Sequence, residues 1–290
     1  MHICALTIIK KLTIHHKLTC HYSCNEGSTP MEKLSVVIIT KNEEKNIERC
    51  ITSVEWADEI IVLDTGSTDA TLAICAKHRC RIERTEWSGF GPAKQKAVSF
   101  ASHTWILSID ADEEICTVLR DEIRSVLADE AVNRKDAYRL KRQSWYINRW
   151  IRHSGWNKDA PVRLFNRNKA GFNGKLIHES VNVHGTIGKT TGVVYHYSYP
   201  DLITHLHKIS FFSGLIADQR TGEGKQGSIS NAILHGCMKF FKMFFLQAGF
   251  LDGKTGFILA INSAFSVYFK HLMHWERSLQ HGISHADPSA

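Results

Sequence analysis

The clearest signal along the chain is a threefold recurrence of nearly unbroken apolar runs, each closed by a polar, acidic turn and followed by a helical pattern. Residues 34–39 end in Thr40-Lys-Asn42-Glu43-Glu44, residues 58–63 in Asp64-Thr-Gly66-Ser-Thr-Asp69, and residues 105–109 in Asp110-Ala-Asp112-Glu113-Glu114. Runs of Val, Ile and Leu without polar alternation predict strands buried on both faces, and so an α/β protein with a parallel sheet between helices. The intervening segments supply those helices. Residues 43–54 place Ile47, Cys50, Ile51 and Val54 on one face, with Asn42 as the expected N-cap. Thr68 or Asp69 can cap a helix carrying Leu72, Ile74, Cys75 and Ala76, and Pro92 opens a helix over 93–101. A long amphipathic helix after the third strand should turn Ile115, Val118, Leu119, Ile123, Val126 and Leu127 inward.

The texture changes over 137–198, where short strand-like pieces at 137–140, 161–165 and 193–197 alternate with loops holding Trp145, Tyr146, Trp150, Trp156, Asn157 and Lys158. Tryptophans beside polar groups suit either packing or the C–H faces of sugar rings, and both readings stand at this point. The last third holds two strongly apolar stretches, 232–246 and 257–270, interrupted by Lys, His, Asn and Gly. Neither is a clean run of about twenty apolar residues, which disfavours a membrane span. Aromatic faces with flanking lysines fit helices lying in a membrane interface, while core or dimer helices are the alternative.

This pattern divides the chain into an N-terminal extension (1–30), a catalytic region (31–199) with a nucleotide half (31–130) and an acceptor half (131–199), a helical region (200–275) and a tail (276–290). The extension holds Cys20, His21 and Cys24 at poor spacing for zinc, and Met31 is the expected natural start. A chain of 290 residues, 43% hydrophobic, can bury one substantial core. Its 36 Lys and Arg against 29 Asp and Glu give +7 without a concentrated basic stripe, which excludes nucleic acid as the expected partner and suits anionic substrates or an anionic membrane surface. Eight scattered cysteines without paired Cys-x-x-Cys repeats are expected as reduced thiols in a cytosolic protein.

The acidic turns carry the chemistry. If 110–112 stays extended, Asp110 and Asp112 project to one side and share a hard cation. Mg²⁺ or Mn²⁺ held by one or two carboxylates completes its shell with water and substrate phosphates, so a nucleotide diphosphate is the implied ligand. Ligands in such sheets bind beyond the carboxyl ends of the strands, where all three acidic clusters fall.

The ordered set Val-Val-Ile-Ile-Thr40-Lys-Asn42-Glu43, Val-Leu63-Asp64-Thr-Gly66-Ser67-Thr68-Asp69, Phe90-Gly91-Pro-Ala-Lys94-Gln95-Lys96 and Ser108-Ile-Asp110-Ala-Asp112-Glu113 resembles glycosyltransferase family 2, the inverting enzymes of GT-A fold. Arg163-Leu-Phe165, Gly174-Lys-Leu-Ile177-His178-Glu179 and the 249–257 segment resemble its lipopolysaccharide inner-core β-1,4-glucosyltransferase branch. The resemblance implies that Thr40, Asn42, Glu43 and Asp64 line the nucleotide pocket, and that Asp110 and Asp112 hold the donor, the latter through the metal. Asp64 would accept from the uracil N–H, or else cap the Gly66-Ser67-Thr68 turn. Lys94 and Lys96 would face the diphosphate or lie in solvent. Glu179, expected at the end of an apolar strand and supported by His178, is the candidate base, with Asp159 as its rival. The implied reaction moves glucose from UDP-glucose to an inner-core heptose at the cytoplasmic face of the membrane, with inversion and no covalent intermediate. Another cell-envelope glycan or lipid-linked acceptor and an inactive nucleotide-sugar-binding protein are the alternatives. A nucleotidyltransferase is disfavoured because its Gly-rich phosphate loop is missing.

Overall fold

A computed structural model describes residues 31–175 and 179–284. The N-terminal extension with Cys20, His21 and Cys24, the His178 beside Glu179, and residues 285–290 of the tail lie outside the described residues. The chain order is β1 (Leu34–Thr40), α1 (Ile47–Thr52), β2 (Glu59–Asp64), α2 (Thr71–Lys77), β3 (Arg81–Arg84), α3 (Phe90–Ser99), β4 (Trp105–Asp110), β5 (Glu113–Ile115), α4 (Thr117–Ala128), β6 (Ala137–Tyr146), β7 (Arg149–Trp150), β8 (Val162–Asn166), β9 (Ala170–Phe172), β10 (Val181–Val183), β11 (Ile187–Tyr199), α5 (Leu202–Gly222), α6 (Ile229–Phe241) and α7 (Gly253–Ser284).

The main sheet runs β3-β2-β1-β4-β8-β6-β11-β5, with β7 hanging on β6. The β3-β2-β1-β4 part is parallel, as the apolar runs predict. β4 and β6 flank β8 antiparallel to it, so the sheet is mixed and both halves of the catalytic region share it. Side-chain alternation sorts the central strands onto two faces. Leu34, Val36, Ile38, Val62, Trp105, Leu107 and Ile109 meet Ile47, Cys50 and Ile51 of α1, Cys75 of α2 and Leu119, Ile123 and Leu127 of α4. Val37, Ile61, Leu63 and Ile106 meet Ala97 and Val98 of α3 on the other face. Val118, expected inside, is exposed. Strand β3 escapes the sequence pattern because it is an edge strand with one apolar residue in four, Ile82.

β5 follows β4 after two residues yet pairs at the far end of the order, antiparallel to β11. Four interstrand spacings across a flat sheet would span about 19 Å, whereas three residue steps reach at most about 11 Å. The sheet therefore curls through the long β6 and β11 until its far edge returns to the carboxyl end of β4.

Tyr146, Ile151, Met243, Leu259 and Ala260 form a third core that fixes the C-terminal helices to the acceptor half. α7 continues past residue 275 to Ser284. Beside this core the Tyr146 hydroxyl lies 2.9 Å from Nδ1 of buried His205 and accepts from Asn262 Nδ2 at 2.9 Å. Burial, with Lys208 nearby, pushes the His205 imidazole down to about 4 from 6.5. The unfolded chain then takes up a proton as pH falls through 6.5 while the native protein refuses it, so this contribution to stability is lost toward pH 4. Wild type should lose about 2 kcal/mol more stability than His205→Gln between about pH 7 and pH 5, read from urea midpoints. Equal losses would remove His205 as the cause.

Candidate active site

The carboxyl ends of β1, β2 and β4 lie level: Thr40 pairs with Asp64, and Ile39 with Asp110. Asp64 is buried and accepts from the backbone N–H of Gly66 at 3.2 Å and Ser67 at 3.0 Å, closing the turn that Gly66 makes at φ +106°. Asn42 does not cap α1, whose N-cap position is held by Asn46. It stands instead in the left-handed region at φ 54°, where its Oδ1 accepts from Thr68 N at 2.8 Å and its N–H donates to Ser67 Oγ at 3.0 Å. The first two acidic turns are thereby stitched together. Asp69 supports the first turn of α2 by accepting from Thr71 N at 3.0 Å. Glu43 accepts from Asn46 Nδ2 at 2.8 Å, and its carboxyl is raised by burial and by the Asp112 charge. Among the described residues the buried Thr40 hydroxyl has no hydrogen-bond partner.

The extended course expected through Asp110-Ala111-Asp112 is not what forms. β4 stops at Asp110, and Ala111 and Asp112 make a turn before β5. The two carboxylates consequently take different cationic partners. Asp110 lies 2.6 Å from Arg163 Nη2 and 2.8 Å from Lys94 Nζ. Burial alone would raise its pKa, but the Arg163 and Lys94 charges outweigh that and hold it well below the usual carboxylate range. Asp112 faces His196 Nε2 at 3.3 Å and Lys208 Nζ at 3.5 Å, and these overcome burial to hold it low as well. Among the described residues no three His, Cys, Asp or Glu side chains gather as a metal cage.

Lys94 is 3% exposed, which removes the solvated alternative, and its ammonium joins Asp110 to Glu179 Oε1 at 2.6 Å. Glu179 lies in the connection between β9 and β10, and residues 176–178, expected to lead into it as an apolar strand, lie outside the described residues. That connection reaches Lys94 because Gly91 lets the backbone close in: its N–H donates to Lys175 O at 3.1 Å, and a Cβ there would sit 2.4 Å from Asn173 O. Lys96 is exposed and donates to Thr85 Oγ1 at 2.7 Å.

On the other side of Arg163, buried Glu113 lies 3.3 Å from both Arg163 and Arg142, and Arg142 Nε donates to Asp159 Oδ2 at 2.7 Å. One ionic network thus runs from Glu179 through Lys94, Asp110, Arg163, Glu113 and Arg142 to Asp159. It ends at a cavity of about 410 Å³ whose walls include Asp159, His196, Lys158, Trp156 and Tyr199. Trp156 and Tyr199 lie 5.7 Å apart in its wall and pack on the third core, and Trp145 and Trp150 pack edge to face on each other. Only Trp156 of these three tryptophans lines the cavity. Arg142, Arg163, His196 and Lys208 complete the site, and the sequence pattern assigned none of them a role. A guanidinium inside an apolar strand, as in Pro161-Val-Arg163-Leu-Phe165, was the available signal for Arg163.

Acids and bases gathered beyond the carboxyl ends of parallel strands, beside a cavity with aromatic walls, occupy the place where α/β enzymes bind their ligands. The Glycosyl transferase family 2 profile matches residues 35–188. An uncharacterised glycosyltransferase of Rickettsia bellii is 33% identical over 86% of this chain and 88% of its own length. The lipopolysaccharide core biosynthesis glycosyltransferase LpsC of Rhizobium meliloti is 28% identical over 88% of this chain and 99% of its own. A crystal structure of residues 1–349 of S. aureus TarS is 18% identical over 86% of this chain and 92% of that one, with a TM-score of 0.44. The chain belongs to glycosyltransferase family 2.

Proposed function

We propose that this enzyme transfers a sugar, with inversion, from a UDP-sugar to a hydroxyl of a membrane glycolipid, and that the particular reaction is β-1,4 transfer of glucose to a heptose of the lipopolysaccharide inner core. The cavity carries this reading: it is lined by Asp159 and His196 together with Trp156 and Tyr199. The likeness to LpsC supports the choice of acceptor class. Thr40, Asn42, Glu43 and Asp64 take the nucleoside end of the donor, where the unpartnered Thr40 hydroxyl offers a buried hydrogen bond.

In this mechanism Asp159 accepts the proton of the acceptor hydroxyl as that oxygen bonds to the anomeric carbon. The bond from that carbon to the β-phosphate oxygen breaks on the opposite face, and its electron pair leaves on UDP. Asp159 is preferred to Glu179 because it lines the cavity, whereas Glu179 is held on Lys94. Glu179 and Lys94 then act as positioning residues for Asp110. Trp156 and Tyr199 offer flat faces to a sugar ring.

Asp112 and His196 fit a divalent ion, Mg²⁺ or Mn²⁺. In the ion-bound form His196 Nδ1, 2.7 Å from Ser198 Oγ, would keep its proton, while Nε2, which otherwise meets Asp112, would give its lone pair to the ion. Two protein ligands leave room for phosphate oxygens and water, and the ion would offset charge growing on the leaving diphosphate.

The test is UDP release by the full chain with a panel of UDP-sugars, with and without Mg²⁺ or Mn²⁺, and with deacylated inner-core oligosaccharide as acceptor. Acceptor-dependent release from UDP-glucose is expected. Release from a different sugar would replace the donor, and no release from any would defeat the reading. Asp112→Ala should abolish the metal-dependent part of donor binding.

A further inference from the structure

α6 leads into a π-helical turn (Lys242–Leu246), and after Gln247 and Ala248 a 3-10 turn (Gly249–Asp252) leads into α7. No single described helix is long and apolar enough to cross a membrane, but the two arms, Ile229–Leu246 and Gly249–Leu279, qualify together and meet at a 73° bend. At that corner an inner row of rings packs on itself: Phe240 stacks on Phe244 at 5.5 Å, and Phe244 meets Phe257 edge to face at 5.5 Å. Phe241, Phe245, Phe250 and Leu251 are about half exposed, and Leu246 is 84% exposed. Exposed apolar side chains packed this densely mark an interaction surface rather than scattered surface residues.

Charge identifies the occupant. From residue 229 through 275 the basic residues are Lys239, Lys242, Lys254 and Lys270, and the single acid is Asp252. Asp252 is buried under the corner, where its carboxylate accepts from the backbone N–H of Arg152 and His153 at 3.2 and 2.9 Å. Lys242 and Lys254 are exposed beside the apolar row. A second copy of the chain docked here about a twofold axis would set lysines against lysines. An anionic lipid surface instead accepts both the rings and the lysines.

We propose that the α6–α7 corner is a wedge that enters one leaflet of an anionic bilayer, with Phe241, Phe245, Leu246, Phe250 and Leu251 below the phosphates and Lys242 and Lys254 among them. The wedge also sets the depth of the acceptor cavity, a consequence that rests on the glycolipid-acceptor reading. Ser154 N–H donates to Gln247 O at 2.9 Å, and Arg149 Nη1 donates to Asp252 O at 2.9 Å. Gly155, at φ +79°, lies so close that a Cβ would sit 2.5 Å from Gln247 Oε1. The segment tied down in this way runs directly into Trp156 and Asp159.

The experiment is co-sedimentation of the full chain with phosphatidylcholine vesicles with and without phosphatidylglycerol, with no donor or acceptor present. Binding is expected only to the phosphatidylglycerol vesicles, weakened by added salt, and reduced on the order of tenfold or more in Phe245→Glu/Leu246→Glu. Lys242→Glu/Lys254→Glu leaves the apolar row intact and should abolish the preference for phosphatidylglycerol. UDP binding should be unchanged in both variants, which also confirms that they fold. Absence of vesicle binding by wild type, unchanged binding in both variants, or a dimer that Phe245→Glu/Leu246→Glu dissociates would overturn the wedge. Vesicle binding without UDP release from any UDP-sugar would leave the wedge standing and remove the transferase reading instead.

Discussion

Asp159→Asn is expected to lower sugar transfer by about 10²–10⁴-fold while leaving UDP binding within a few-fold of wild type, the range a positioned general base supplies. The substitution keeps an oxygen that can still accept from Arg142, so the network and the cavity wall survive. What it removes is the ability to carry the acceptor's proton. Glu179→Gln makes the contrast, because Glu179 meets Lys94 at 2.6 Å and is not among the residues lining the cavity. It should shift the donor affinity and retain most of kcat. Turnover measured on both variants, beside UDP affinity by calorimetry, decides the matter. A Glu179→Gln enzyme that binds UDP normally but does not turn over, next to an active Asp159→Asn, would return the base to Glu179.

The second large effect is on stability. Arg163 is buried, and one guanidinium nitrogen lies 2.6 Å from Asp110 and 3.3 Å from Glu113. Arg163→Met leaves Asp110 with Lys94, and leaves Glu113 with Arg142. Stripping one partner from a buried charge cluster typically costs about 3–5 kcal/mol, because each carboxylate then keeps only part of the compensation for its desolvation. The urea midpoint should fall accordingly. Arg163→Lys should recover only part of the loss, since an ammonium is more strongly hydrated than a guanidinium and costs more to bury there. An Arg163→Met protein as stable as wild type would show that the network is held for chemistry alone.

Much of this arrangement is legible in the sequence where burial is symmetrical. The runs at 34–39, 58–63 and 105–109 announce the parallel strands because neither face may be polar, and the acidic turns after them announce the carboxyl-end site. The site's interior is harder to read. Extended geometry at 110–112 is a reasonable local inference, but the need for β5 to reach β11 bends the chain at Ala111 and gives the two aspartates different partners. His196 and Lys208 meet Asp112 from about 85 and 95 residues away, through the curl of β11 and the docking of α5, and no local period encodes that. Asn42 shows the same limit in miniature: its residue type suits an N-cap, and a partner loop 26 residues on claims the side chain instead.

The two-residue step from β4 to β5 makes chain length between Asp110 and Glu113 a fixed ruler. One end is pinned in the middle of the sheet and the other at its returning edge. An added or missing residue there would slip the short strand by one place and, with a period of two, turn Glu113 away from Arg142 and Arg163. The connection between β3 and α3 joins an edge strand to a surface helix and is under no such restraint. Natural or engineered variation in loop length should therefore accumulate there and be absent from the ruler, which makes 110–113 the segment by which distant relatives can be aligned without gaps.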